Sequence, residues 1–248
     1  MSVSELAIVF ACLAMGGILK GATGAGAPIL AIPAMAMVVD VRFAVIIMLV
    51  PNLLTNLWQA WRFRKARPSG PFLLGFAGAG GIGAGLGSVA LVHLPAELLS
   101  LVVALGVVLY IVLRLARPDA KLSLAVAERL SVPVGLAAGL LQGASGVSAP
   151  ITLSFLNAMR LERPVFIATV STVFVAMTAL QFPSLFLLGA LSWQNLLLSL
   201  LALLPISAFM PLGSAIAARL PREAFDRMIL VLLALLAAKL MFDALTGA

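Results

Sequence analysis

Charge is scarce in this chain. Only 10% of its 248 residues are Asp, Glu, Lys or Arg, against roughly 25% in a soluble domain. There is one cysteine, Cys12, and one histidine, His93. A single cysteine excludes an intrachain disulfide, and two such residues are too few for a Cys/His metal cluster. The sequence contains no Walker loop, zinc-site spacing or nucleophile elbow. The acidic residues are Glu5, Asp40, Glu97, Asp119, Glu128, Glu162, Glu223, Asp226 and Asp243. All lie near expected segment ends or in loops, so the mid-depth carboxylate relay of a proton pump is missing. The N-terminus, Met1-Ser2-Val3-Ser4-Glu5, lacks the basic stretch of a cleavable signal peptide. Residues 6–19 are therefore expected to remain in the mature protein.

Apolar residues are abundant. They make up 63% of the chain, and mean hydropathy is +1.18. Several apolar runs approach the ~20 residues that span a bilayer. The +7 net charge does not point to nucleic acid here. The basic residues cluster at segment ends, where they set orientation and meet lipid headgroups.

One stretch organises the rest. Gly21-Ala22-Thr23-Gly24-Ala25-Gly26-Ala27-Pro28-Ile29 recurs 122 residues later as Gly143-Ala144-Ser145-Gly146-Val147-Ser148-Ala149-Pro150-Ile151. At the same offset Asp40 meets Glu162 and Gln59 meets Gln181. At an offset of 126, Leu86-Gly87-Ser88 meets Leu212-Gly213-Ser214, and Leu94-Pro95-Ala96-Glu97 meets Leu220-Pro221-Arg222-Glu223. A four-residue insertion explains the change. The chain is a duplicated unit: 1–117, a basic cytoplasmic linker at 118–128, and 129–248.

Each glycine stretch is expected to break a helical pair. The first pair is read as Glu5–Leu19 and Pro28–Val39, the second as 130–142 and 150–159. At about 10 to 15 residues, these arms are shorter than a ~30 Å hydrocarbon core. Three full spans follow in each half, giving six spans and two broken hairpins. The loop with Arg62, Arg64, Lys65 and Arg67 reads as cytoplasmic, and its counterpart near 183–194 carries no charge. Equivalent loops thus fall on opposite sides. The expected fold is an all-α membrane protein of two inverted repeats, with both termini outside.

The hairpin tips are expected to line a cavity near mid-depth, each with a helix N-terminus toward a substrate. The alternative is that the glycines are packing kinks. Lys20 abuts the first break, and its counterpart is Gln142. It either faces the cavity, as a buried charge usually does, or snorkels to an interface. Asn52, Asn56 and Gln59 lie on one helix face, with Ser171, Thr178 and Gln181 as a thinner stripe in the other half. They form either a hydrogen-bonding wall or interhelical glue. The candidate binding residues are Lys20, Gly21, Thr23, Gly24, Gly26, Asn52, Asn56, Gln142, Gly143, Ser145, Gly146 and Ser148.

The duplicated glycine stretch, the half-length of about 120 residues and the basic loop after the first full span resemble the sulfite exporter TauE/SafE family of bacterial membrane proteins. Gly21, Gly24, Gly26, Gly143 and Gly146 map onto that family's pattern. The resemblance implies a transporter, not an enzyme, that exports small sulfur anions such as sulfite, sulfonates or sulfoacetate across the inner membrane. It implies no cofactor. The partners implied are the anion and the lipid bilayer, with no nucleic acid and a homodimer allowed. A membrane enzyme and a non-transporting partner subunit are the competing classes.

Overall fold

A computed structural model describes residues 3–68, 70–116, 121–219 and 222–246, without the side chains of Val3 and 222–226. Asp119 of the expected linker, and the Leu220-Pro221 match, lie outside the described residues. Among the described residues there is no strand. There are ten α-helices: α1 (Val3–Thr23), α2 (Ala27–Ala36), α3 (Val41–Arg62), α4 (Pro71–His93), α5 (Ala96–Ala116), α6 (Leu124–Ser145), α7 (Ala149–Ala158), α8 (Arg163–Leu187), α9 (Trp193–Arg219) and α10 (Arg222–Thr246). A short 3-10 turn, Arg64–Ala66, follows α3.

Eight of these helices are long and apolar enough to cross a membrane. The ten helices match the ten expected segments, but two of the eight, α1 and α6, are the first arms of the expected hairpins and are longer than expected. Helices α1 and α6 run for 21 and 22 residues, about 31 to 33 Å at 1.5 Å per residue. The expected short first arms assumed that helix ends at the first glycine. Instead the chain stays helical through Lys20-Gly21-Ala22-Thr23 and through Gln142-Gly143-Ala144-Ser145. Glycine in a helix costs about 1 kcal/mol against alanine, and close helix packing offsets that cost here. The second arms, α2 and α7, are short as expected, at 10 residues each.

The chain divides into two compact units. One holds Met1–Pro51, Leu94–Ile111 and Ser192–Ala248; the other holds Asn52–His93 and Val112–Leu191. Neither unit is a sequence half.

In the first unit α1 packs on α9 through bare backbone. A Cβ on Gly21 would stand 2.7 Å from Met210 C, and one on Gly17 would stand 3.0 Å from Ile206 Cα. From the other side, a Cβ on Gly213 would stand 2.7 Å from Ile18 C. In the second unit α6 packs on α4 in the same way. A Cβ on Gly143 would stand 2.6 Å from Ser88 N, and one on Gly139 would stand 2.8 Å from Gly80 C. Small residues four apart permit this approach in lipid, where packing rather than water drives association.

These contacts are duplicates. Gly21 and Gly143 are repeat equivalents at 122, as are Gly17 and Gly139; Ile206 and Gly80 are equivalents at 126. Each hairpin's first helix thus packs on the fourth helix of the other half. Both pairs run parallel, because the contact numbers rise together along the two helices.

The glycine load of α4 also has a second use. Gly83 and Gly87 face α6, whereas Gly81 and Gly85 face Leu180 and Ser184 of α8. One helix therefore meets two neighbours at close range. Phe76 closes the layer against Phe155 of α7, with ring centroids 5.3 Å apart and nearly edge-on.

Candidate functional site

Each tip is locked by the same three hydrogen bonds. Thr23 Oγ1 donates to Leu19 O at 2.8 Å, and Ser145 Oγ donates to Leu141 O at 2.7 Å. The same hydroxyls accept from Ala25 N at 3.2 Å and Val147 N at 3.3 Å. Gly24 N donates to Lys20 O at 2.8 Å, and Gly146 N to Gln142 O at 2.7 Å. Gly24 (φ 82°) and Gly146 (φ 71°) then turn the chain out of the helix through a left-handed backbone. That conformation is a common helix C-terminal stop and strongly favours glycine. Thr23 and Ser145 therefore hold the turn, with their protons committed to backbone carbonyls.

The tips then differ. Gly26 is a second left-handed residue, at φ 89°. Its counterpart Ser148 is right-handed, at φ −91°. Ser148 is braced instead by a side chain: Gln142 Oε1 accepts from Ser148 Oγ at 2.8 Å and from Ser148 N at 3.2 Å. Gln142 Nε2 donates to Gln181 Oε1 at 3.4 Å, and Gln181 Nε2 reaches Gln142 O at 3.3 Å. Thus α6, the second tip and α8 form one buried amide network.

Past each tip a new helix begins, α2 at Ala27 and α7 at Ala149. Pro28 and Pro150 stand in their first turns, where a missing N–H is no loss. Ile29 N and Ile151 N donate to Gly26 O and Ser148 O at 3.1 Å, and each helix start carries the positive end of the helix dipole.

Lys20 lies in the last turn of α1 and is only 1% exposed. A snorkelling side chain would be exposed at its charged end, and that of Lys20 is not. Gly21 and Gly143 sit one turn before the breaks, where their missing side chains admit α9 and α4.

Asn52, Asn56 and Gln59 are all buried. Asn52 Nδ2 donates to Thr178 Oγ1 at 3.1 Å, Asn56 Nδ2 to Asn52 Oδ1 at 2.8 Å, and Ser171 Oγ to Gln59 Oε1 at 3.3 Å. The two polar stripes therefore bond to each other across α3 and α8, which is the glue reading. Gln181 belongs to the site region through Gln142, and the candidate set omitted it. Its signal was the Gln59/Gln181 match across the repeat.

In the first unit a crevice of about 240 Å³ lies among α1, α3 and α9, lined by Leu13, Phe43, Ile47 and other apolar side chains. It offers no donor to an anion.

Eight helices long and apolar enough to cross a membrane define a multi-pass membrane protein. The family model described as "Sulfite exporter TauE/SafE" matches residues 8–240. The chain belongs to that family, whose members are membrane transporters and not enzymes. No curated protein and no solved structure matches the chain.

Proposed function

We propose that the protein exports small sulfur oxyanions, such as sulfite or organosulfonates, across the bacterial inner membrane, and that its glycine-broken tips bind them. The observation that carries this reading is the duplicated tip lock, which delivers a helix N-terminus just past a left-handed glycine in each half. Oriented N–H groups at a helix start suit an anion. Lys20 supports the same sign of ligand, because a buried lysine at this depth is a functional residue by default. An anion leaving a negative-inside cell gains about 2.3 kcal/mol per charge per 100 mV, so export needs no carboxylate for a coupling ion.

Inverted repeats belong to the same proposal. Leu122 N donates to Ala158 O at 2.7 Å, so the α6–α7 hairpin returns to the end at which it began. Arg42 at the start of α3 donates to Leu94 O at the start of α5, consistent with two crossings between them. With a returning hairpin, each half makes three further crossings, an odd number. That count and the swapped basic loops support opposite orientations.

Counterflow of labelled sulfite in proteoliposomes tests the function. Uptake against preloaded unlabelled sulfite is expected. Its absence for both sulfite and methanesulfonate would favour a non-transporting partner subunit.

A further inference from the structure

Several helical hydroxyls in this protein follow one habit. Those of Thr23, Ser88, Ser145, Thr169, Thr172 and Thr178 each donate to the carbonyl four residues back, at 2.7–2.9 Å. Others, such as that of Ser171, bond across to a neighbouring helix. Thr152 does neither. It lies in the first turns of α7 and is 0% exposed. Among the described residues, its Oγ1 is the one buried side-chain polar atom without a hydrogen-bond partner. The carbonyl four back, Ser148 O, accepts only backbone N–H groups, from Ile151 at 3.1 Å and Thr152 at 2.9 Å.

A helical threonine has two favoured χ1 wells, and the hydroxyl can bond back to the preceding turn. Here it does not. Side chains on a helix lean toward its N-terminus, so Thr152 covers the turn that starts at Ser148. That turn is the second tip, where Gln142 holds Ser148 and α7 begins with the N–H of Ala149. The fold itself does not require this hydroxyl, because the repeat equivalent of Thr152 is Leu30, buried at 2% exposure. A stranded buried hydroxyl is destabilising, so a ligand that engages it would recover that loss.

We propose that Thr152 Oγ1 is a substrate ligand, donating its proton in a hydrogen bond to an oxygen of a sulfur oxyanion held at the N-terminus of α7. This rests on the anion-transport reading. The second tip then selects the substrate, since the first tip has leucine at the same place. A cation is disfavoured there, because the α7 dipole is positive at that end and α7 carries no carboxylate.

The test uses the purified full-length protein, with sulfite and methanesulfonate as probes. Thr152→Val keeps the shape and removes the hydroxyl. It should raise the melting temperature of the ligand-free protein, because no polar atom is left stranded. It should also weaken sulfite binding by roughly 10- to 150-fold, the loss of one hydrogen bond to a charged group. Thr152→Ser should restore binding. If wild type binds sulfite and Thr152→Val binds it equally well, the inference falls and the transport reading stands. A lower melting temperature in Thr152→Val with unchanged affinity would assign the hydroxyl to a structural water, and would likewise overturn it. Wild-type protein that binds neither probe would overturn the transport reading and this inference together.

Discussion

Gly143→Ala measures how much the α4–α6 contact depends on a missing methyl group. A Cβ there would stand 2.6 Å from Ser88 N and 2.7 Å from Gly87 C, whereas ordinary contact begins at 3.4 Å. Both obstacles are helix backbone, so no side-chain rotation relieves them. The carbonyl oxygen of Ala84 is nearer still, so the helices must separate locally by roughly 1 Å, and overpacking of this kind costs about 1–3 kcal/mol. Alanine also gains about 1 kcal/mol in helix propensity, which would mask part of the loss. Gly78→Ala removes that ambiguity. It sits on α4, and a Cβ there meets nothing within 4 Å, so it should gain the propensity alone. The difference between the two variants is then the overpacking cost. At roughly 2 to 4 °C per kcal/mol for a chain of this size, Gly143→Ala should melt about 2 to 12 °C below Gly78→Ala. Thermal unfolding in detergent, followed by loss of monodisperse protein, is the assay. Equal melting of the two variants would mean that α4 and α6 are not in backbone contact, and would refute the packing argument.

Three further outcomes are expected. Lys20→Gln makes the first tip resemble the second, so the protein should fold, while sulfite affinity falls by about 10- to 150-fold, as for a hydrogen bond to a charged group; unchanged affinity would remove Lys20 from the site. Gly24→Leu and Gly146→Leu should each stop counterflow while leaving folded protein, because a left-handed position costs leucine about 1–2 kcal/mol; near-normal counterflow in both would reduce these glycines to kinks. In a Cys12→Ser background, Lys65→Cys and Ser192→Cys should label from opposite sides of the membrane, and labelling from one side would sink the inverted arrangement.

Much of the fold was legible because repeats leave marks that a single segment does not. Pro28 and Pro150, at matching places, announced both helix restarts. The two glycine stretches announced that a helix stops in each half, but not at which glycine. The length of the first arms was not legible. Gly21 and Gly143 look like breaks from their propensity alone, and only the partner helices explain why the helix runs through them. Those partners, Gly213 on α9 and Gly87 on α4, lie far away in sequence and belong to the other half. The polar stripes were legible as faces, but whether Asn52 and Gln59 face a ligand or each other's partners is decided by the rotation of α3 against α8. Thr152 had no signal at all. Its counterpart is leucine, and a lone threonine in an apolar helix ordinarily bonds back to its own carbonyls.

The crossed pairing of the halves has a consequence for biogenesis. Gly143 and Ala84 are 59 residues apart, but Gly21 and Met210 are 189 apart. At synthesis rates of about 5–20 residues per second, α6 can meet α4 within roughly 3 to 12 s, whereas α1 waits roughly 9 to 38 s for α9. We predict that the second unit assembles first, and that α1 and α2 stay in the membrane without their closing partner until the chain is nearly complete. Arrested nascent chains ending after α8 should form cysteine crosslinks between α4 and α6, and chains arrested before α9 should expose the face of α1 that carries Gly17 and Gly21. An α1 face that is already protected before α9 is made would mean that another element holds it in the interim. For that interval, two glycines chosen for a tight fit present a smooth, sticky backbone ridge to whatever else lies in the bilayer.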